Sequence, residues 1–239
     1  MKRLVTALVL IPTVVWLILG APQWAFVAAE VVVGLFALRE VVQIGKNAVV
    51  SALGGAIYIG GAWVCAFLLR QENPHWLLFA FLLCWAGDTA AFYIGKNFGR
   101  HKLAPKISPA KTWEGAVASV AGGMLVGAIY AHYLIPAAPL AMVLTIAAVG
   151  NVAGQFGDLL ESAYKRWGGV KDSGSSLPGH GGWLDRIDST LLAVPAVYLL
   201  VRLAISASTG GQVGGLPYSQ AEACATVLAT GYRLLVSPF

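Results

Sequence analysis

The chain has 239 residues, 58% of them apolar and 11% charged, with a formal net charge of +5. Such an apolar share lies above that of a water-soluble domain and excludes an ordinary soluble fold. Several windows of about 18 or more residues nearly free of charge are long enough to cross a bilayer, and the cations between them suit anionic headgroups better than nucleic acid.

In chain order the pattern predicts an all-α polytopic integral membrane helical bundle of about seven transmembrane helices. The spans fall at roughly 4–21, 24–44, 50–69, 76–95, 114–135, 139–161 and 187–205. The first follows Met1-Lys2-Arg3 like a signal peptide, but a small-x-small cleavage site is lacking and a second span follows at once, so it is read as retained. Pro12 inside it is tolerable in a membrane helix. Thr209–Pro217 is a Gly-rich linker, and Ala221–Val236 is apolar enough for an eighth C-terminal helix, spanning or interfacial. This divides the chain into N-terminal transmembrane helices (1–75), a catalytic transmembrane core (76–205) and a linker with an apolar segment (206–239). Gly54, Gly55, Gly60, Gly61, Gly122, Gly123 and Gly127 suggest close helix packing. Cys65, Cys84 and Cys224 are far apart and imply neither a disulfide framework nor a metal spacing.

With the N-terminus in the cytoplasm, basic residues concentrate on that side: only Arg70, Arg202 and Arg233 fall outside, as the positive-inside rule requires. On this topology Asp88, Asp158, Asp185 and Asp188 approach one level of the membrane from three spans, with Glu161 beside them. Asp185 and Asp188, three apart, share one helical face. Like charges in a partly desolvated place need a compensating cation, and Mg²⁺ suits carboxylates, waters and phosphates. Each Asp alone could instead cap a helix or pair with a Lys or Arg. Glu30 sits by itself in the second span, with burial as good an account as function.

Around these acids the run Ser162–Asp188 holds Lys165, Arg166, Lys171 and Arg186, cations suited to phosphate oxygens, together with Asp172. Gly179, Gly181 and Gly182 let backbone N–H groups approach an anion, and His180 between them can donate to a phosphate or shuttle a proton. A second polar segment, Lys96–Gly115, offers the hydroxyls of Ser108 and Thr112 and the charge of Lys111 just before Glu114 and a helix start. A loop that only fixes topology would not need that order of groups.

At these residues the chain resembles the phosphatidate cytidylyltransferase (CDP-diacylglycerol synthase) family. Its C-terminal signature, S-x-hydrophobic-K-R through small-x-H-G-G to D-R-hydrophobic-D, fits Ser162–Asp188. Gly154-Gln-Phe-Gly-Asp158, Trp85-Ala-Gly-Asp88 and Ser108-Pro-Ala-Lys111-Thr112-Trp-Glu114-Gly115 match three further blocks. The resemblance implies transfer of the cytidylyl group of CTP to phosphatidate, giving CDP-diacylglycerol and pyrophosphate for phospholipid biosynthesis, with Mg²⁺ and a second metal ion left open. It implies metal carboxylates at Asp158 and Asp185 with Asp188 in support. Lys165, Arg166, Lys171, His180 and Arg186 would be phosphate contacts, with Asp172 in the catalytic set. Ser108, Lys111, Thr112, Glu114, Gly181 and Gly182 would be substrate-binding, and Asp88 metal- or nucleotide-binding. It further implies a homodimer among membrane lipids, in a bacterial cytoplasmic (inner) membrane with the N-terminus and active site facing the cytoplasm. Only three spans precede the Asp88 block, fewer than in typical members. Two rival readings are a CTP-dependent enzyme acting on another membrane lipid and an ion or proton transporter. The second is disfavoured because every acid but Glu30 crowds the cytoplasmic side or lies in a loop.

Overall fold

The computed structural model describes residues 2–174, 176 and 181–208. His180 and the segment Ala221–Val236 lie outside the described residues. Two compact units divide the chain, Met1–Val201 and Arg202–Phe239. Of the second, residues 202–208 are described and are helical.

The elements are α1 (Lys2–Leu19), α2 (Gln23–Ile44), α3 (Ala48–Glu72), α4 (Pro74–Phe98), β1 (Lys102–Ala104), β2 (Ser108–Thr112), α5 (Trp113–Leu134), α6 (Leu140–Trp167), α7 (Leu184–Ile187) and α8 (Thr190–Ser208). Among the described residues the fold is all-α apart from one short antiparallel hairpin, β1–β2, inside the segment expected as a loop. Among the described residues five helical stretches are long and apolar enough to cross a membrane: Ala48–Glu72, Pro74–Phe98, Trp113–Leu134, Leu140–Trp167 and Leu184–Ala207. α2 is as long as α5 but carries Glu30, Arg39 and Glu40. The last expected span is broken at Asp188–Ser189, which separates α7 from α8.

Local chemistry sets the joints. The Asn47 side chain accepts from the Val49 and Val50 N–H groups at the start of α3, and the Asn73 side chain accepts from His75 N–H, with Pro74 in the first turn of α4. Each cap satisfies an N–H that the first helical turn leaves without an intrahelical partner. The Arg70 guanidinium donates to the carbonyls of Ile18 and Ala21 and lies over the Phe26 ring, so α3 closes the C-terminal end of α1.

Glycine makes the α4–α5 contact close. A Cβ on Gly122 would stand 2.8 Å from the Ala90 methyl, and one on Gly127 would stand 3.0 Å from Leu83 and Phe79. Of the glycines singled out in α3, Gly55 packs in this way against Leu38 and Val41. Gly54, Gly60 and Gly61 do not: an added Cβ there meets nothing within 4 Å. Composition flags small residues but not the face on which they fall.

A polar seam runs where α4, α5 and α6 meet. Asn151 donates to the Leu83 carbonyl (3.0 Å) and accepts from Ser119 (3.1 Å) and Gln155 (2.8 Å). Buried polar groups in an apolar setting need such partners. Gly87 leaves room for the seam, since a Cβ there would collide with the Asn151 amide and the Ser119 hydroxyl. Gly87→Ala is therefore expected to destabilise the bundle by about 1–3 kcal/mol through overpacking. Thermal unfolding in detergent checks this; an unchanged midpoint would mean the helices can separate without cost.

Candidate active site

Two cavities meet at one aspartate. The first, about 370 Å³, is lined mainly by apolar side chains including Leu10, Val14, Phe26, Trp63, Phe81 and Trp85, and also by Glu30, Asp88, Asp185, Arg186 and Asp188. The second, about 570 Å³, is lined by Lys96, Lys102, Lys111 and Thr112 with Ser119, Gln155 and Asp158, and again by Asp88. Asp88 also lies within electrostatic reach of Asp158, Lys111 and Arg186.

The hairpin positions the cationic cavity. The Thr112 side chain accepts from Gly115 N–H at 3.1 Å, capping α5, and this turns the preceding Lys111 toward α6. Its Nζ pairs with Asp158 Oδ2 at 2.5 Å, each side chain remaining about a quarter exposed. Glu114 reaches back to the ring and backbone N–H of His101, at 2.6 and 3.2 Å, and locks the hairpin to the helix start. Lys102 is held opposite Thr112 by the strand register.

The second half of the site is a buried ion triad. Lys165 Nζ lies 2.6 Å from Glu161 and 2.6 Å from Asp185, and its side chain is only 12% exposed. Asp185 also accepts from the backbone N–H groups of Ser173 (3.1 Å) and Gly182 (2.8 Å). Gly181 precedes these contacts with φ +79°, a conformation that favours glycine, and an added Cβ would press on Asp185. Asp188 accepts from Ser189 N–H at 2.6 Å and shares the field of Asp158, Glu161 and Asp88.

The sequence-derived residues thus divide. Asp88, Lys111, Thr112 and Asp158 line the cationic cavity; Asp88, Asp185, Arg186 and Asp188 line the mainly apolar one. Thr112 spends its hydroxyl on the helix cap, Glu114 on His101, and Lys165 on two carboxylates. Gly182 serves the loop by donating to Asp185. Ser108 pairs within the hairpin, Arg166 donates to the Val170 carbonyl, and Lys171 and Asp172 stand exposed; none of the four lines either cavity. Lys96 and Lys102 belong to the polar segment that the sequence marks for an anion, though not as individual site residues, and Glu40, a buried acid on α2, is not marked at all. The one available signal for Glu40 was a carboxylate inside an apolar span.

Donor chemistry allows a metal test. Among the described residues no three His, Cys, Asp or Glu side chains are grouped as a ready-made metal site. Mg²⁺ needs only one or two carboxylates, its remaining positions going to waters and phosphates. Asp158 and Asp188, in each other's field with Asp88, meet that requirement with hard oxygen donors. Asp185 is held by Lys165 and two backbone N–H groups, and Asp158 by Lys111 and, at 3.4 Å, by the Ser162 hydroxyl, the more exposed Asp158 facing the cationic cavity.

The fold and the site together define a multi-span helical membrane protein in which a lysine-lined cavity and a mainly apolar one share Asp88. The sequence pattern of the cytidylyltransferase family matches residues 56–204, and the chain belongs to that family. It is 42% identical over 144 residues to a phosphatidate cytidylyltransferase of Staphylococcus saprophyticus, covering 60% of this chain and 55% of that protein. Similar proteins of the same name in Staphylococcus haemolyticus and Staphylococcus aureus are 38% and 40% identical over 144 and 153 residues, with the same coverage of both chains. The chain spans about half the length of the curated relatives it matches.

Proposed function

We propose that the protein transfers the cytidylyl group of CTP to phosphatidate, forming CDP-diacylglycerol and releasing pyrophosphate. The observation that carries this reading is the pair of cavities sharing Asp88, one apolar and one lined by three lysines. Acyl chains favour the first by apolar burial, and a triphosphate favours the second by charge. Membership of the cytidylyltransferase family supports the nucleotide, and the printed names of the staphylococcal relatives support the lipid.

A phosphatidate oxygen attacks the α-phosphorus of CTP, a P–O bond forms, and the bond to the β-phosphate breaks in line. Both reactants are anionic, so their repulsion is the principal obstacle. Lys96, Lys102 and Lys111 would hold the triphosphate, and Arg186 the phosphate of the lipid. Fixing both in line supplies an orientation effect of several kcal/mol, roughly the range reached by well-placed intramolecular reactions. The acceptor needs no strong base, because a phosphate monoester is already ionised at neutral pH. Asp158 and Asp188, with Asp88 nearby, would hold Mg²⁺, which when bound supplies positive charge against the phosphate oxygens. We further propose that the protein lies in the cytoplasmic membrane with this site facing the cytoplasm, where CTP arrives from water and the lipid enters from the bilayer.

Purified protein in detergent, given CTP, phosphatidate and Mg²⁺, is expected to release pyrophosphate and yield a CDP-lipid by mass spectrometry. Faster transfer to another lipid phosphate in competition would replace phosphatidate as the acceptor. No nucleotide transfer to any of them would overturn the reading.

A further inference from the structure

Glu40 lies outside the family-matched region of residues 56–204, and it is only 2% exposed. In an apolar bundle a carboxylate this deeply buried must be well satisfied to persist. It is: four donors converge on it. Ser173 Oγ–H donates at 2.8 Å, Ser176 Oγ–H at 3.0 Å, Trp183 N–H at 3.1 Å and Leu184 N–H at 2.9 Å. One turn earlier on the same helix, Phe36 stacks on the Trp183 ring at 6.1 Å.

These donors come from the two ends of the segment joining α6 to α7. Asp185 grips the same two ends, taking the N–H of Ser173 and of Gly182. Ser173 therefore joins the two acids, giving its hydroxyl to Glu40 and its amide to Asp185. Glycine at 174 and 182 keeps this space open, since an added Cβ at either would run into the Glu40 carboxylate.

We infer that Glu40 is a positioning residue for the transfer site. It ties Ser173, Ser176, Trp183 and Leu184 to α2 and thereby sets where Asp185 and Arg186 stand at the apolar cavity. α2 itself is held independently of this carboxylate. Ala37, Val41 and Ile44 pack in one core cluster with Ile59 and Ala62 of α3, and the Tyr164 hydroxyl donates to the Val41 carbonyl at 2.9 Å. Loss of the carboxylate frees Ser173, Ser176 and the Trp183 and Leu184 amides and leaves the helix in place.

The catalytic part of the test rests on the function proposed above; the structural part does not. Full-length Glu40→Ala, Glu40→Gln and wild type are compared in detergent by hydrogen–deuterium exchange and by CDP-lipid formation. In Glu40→Ala, exchange in peptides carrying Ser173, Trp183 and Leu184 is expected to accelerate about tenfold or more, with α5 unchanged as internal reference. Turnover falls by about 10- to 100-fold, in the range of lost orienting contacts, while KM for CTP moves less than about threefold. Glu40→Gln, of nearly the same shape, falls between, because an amide offers one acceptor oxygen to four donors. Unaltered protection of the segment in Glu40→Ala overturns the inference, as does acceleration spread evenly over α2, α5 and α6 in both variants. A wild type that makes no CDP-lipid overturns the proposed function, and the exchange pattern then decides the anchoring role alone.

Discussion

Replacing Asp158 by Asn is expected to lower CDP-lipid formation by about 10²- to 10³-fold while the bundle stays folded. The side chain stands between the lysine-lined cavity and the other carboxylates, paired with Lys111 and within the fields of Asp88 and Asp188. Asn keeps the shape and one acceptor but removes the charge that would hold a divalent ion. Because each partner of the Lys111 pair is more than a quarter exposed, its contribution to stability is small, about 1 kcal/mol or less. Function and stability therefore separate in this variant. Mass-spectrometric turnover and a thermal midpoint in the same detergent read them independently. Undiminished turnover would remove Asp158 from the mechanism.

Lys165→Ala is expected to do the opposite and act first on stability. Its ammonium lies between Glu161 and Asp185, whose side chains are 3% and 10% exposed. Removing the cation leaves two carboxylates facing each other in a dry place, a loss of about 3–5 kcal/mol for a broken buried pair. The thermal midpoint should drop strongly, and the double variant Glu161→Gln/Lys165→Met should regain part of it by removing two charges together. A Lys165→Ala protein as stable as wild type would show that the lysine is not the counter-charge of this triad. It would return Lys165 to the phosphate-binding role its place in the signature implies.

The two variants mark the line between what was legible in the chain and what was not. Helical class, membrane character and the polar stretches that carry chemistry follow from apolar windows and from charges confined to their ends. Asp88, Asp158, Asp185 and Asp188 could be brought to one level from span direction alone, because a helix of known length converts residue number into depth. Which acid meets which cation could not be derived, since pairing depends on the rotation of each helix about its axis. Thus Asp158 meets Lys111 from the hairpin, whereas Asp185 on α7 meets Lys165 on α6, 20 residues earlier in the chain. The hairpin itself was read as loop, its strands being only three and five residues long, too short for an alternating pattern to register.

The sequence by itself determined that the chain is a bundle of apolar helices with its charged residues gathered in a few polar stretches, because burial of apolar surface and the confinement of charge are properties of composition and order. Only the tertiary structure decided the division of labour among the charged residues. It gave Lys111 and Asp158 to the open cavity, turned Lys165 and Asp185 into a buried brace, and brought Glu40 from a distant helix to hold the segment between α6 and α7. In a low-dielectric interior a buried carboxylate must find donors wherever packing presents them. Those donors here lie more than 130 residues further along the chain, at a distance no local pattern spans.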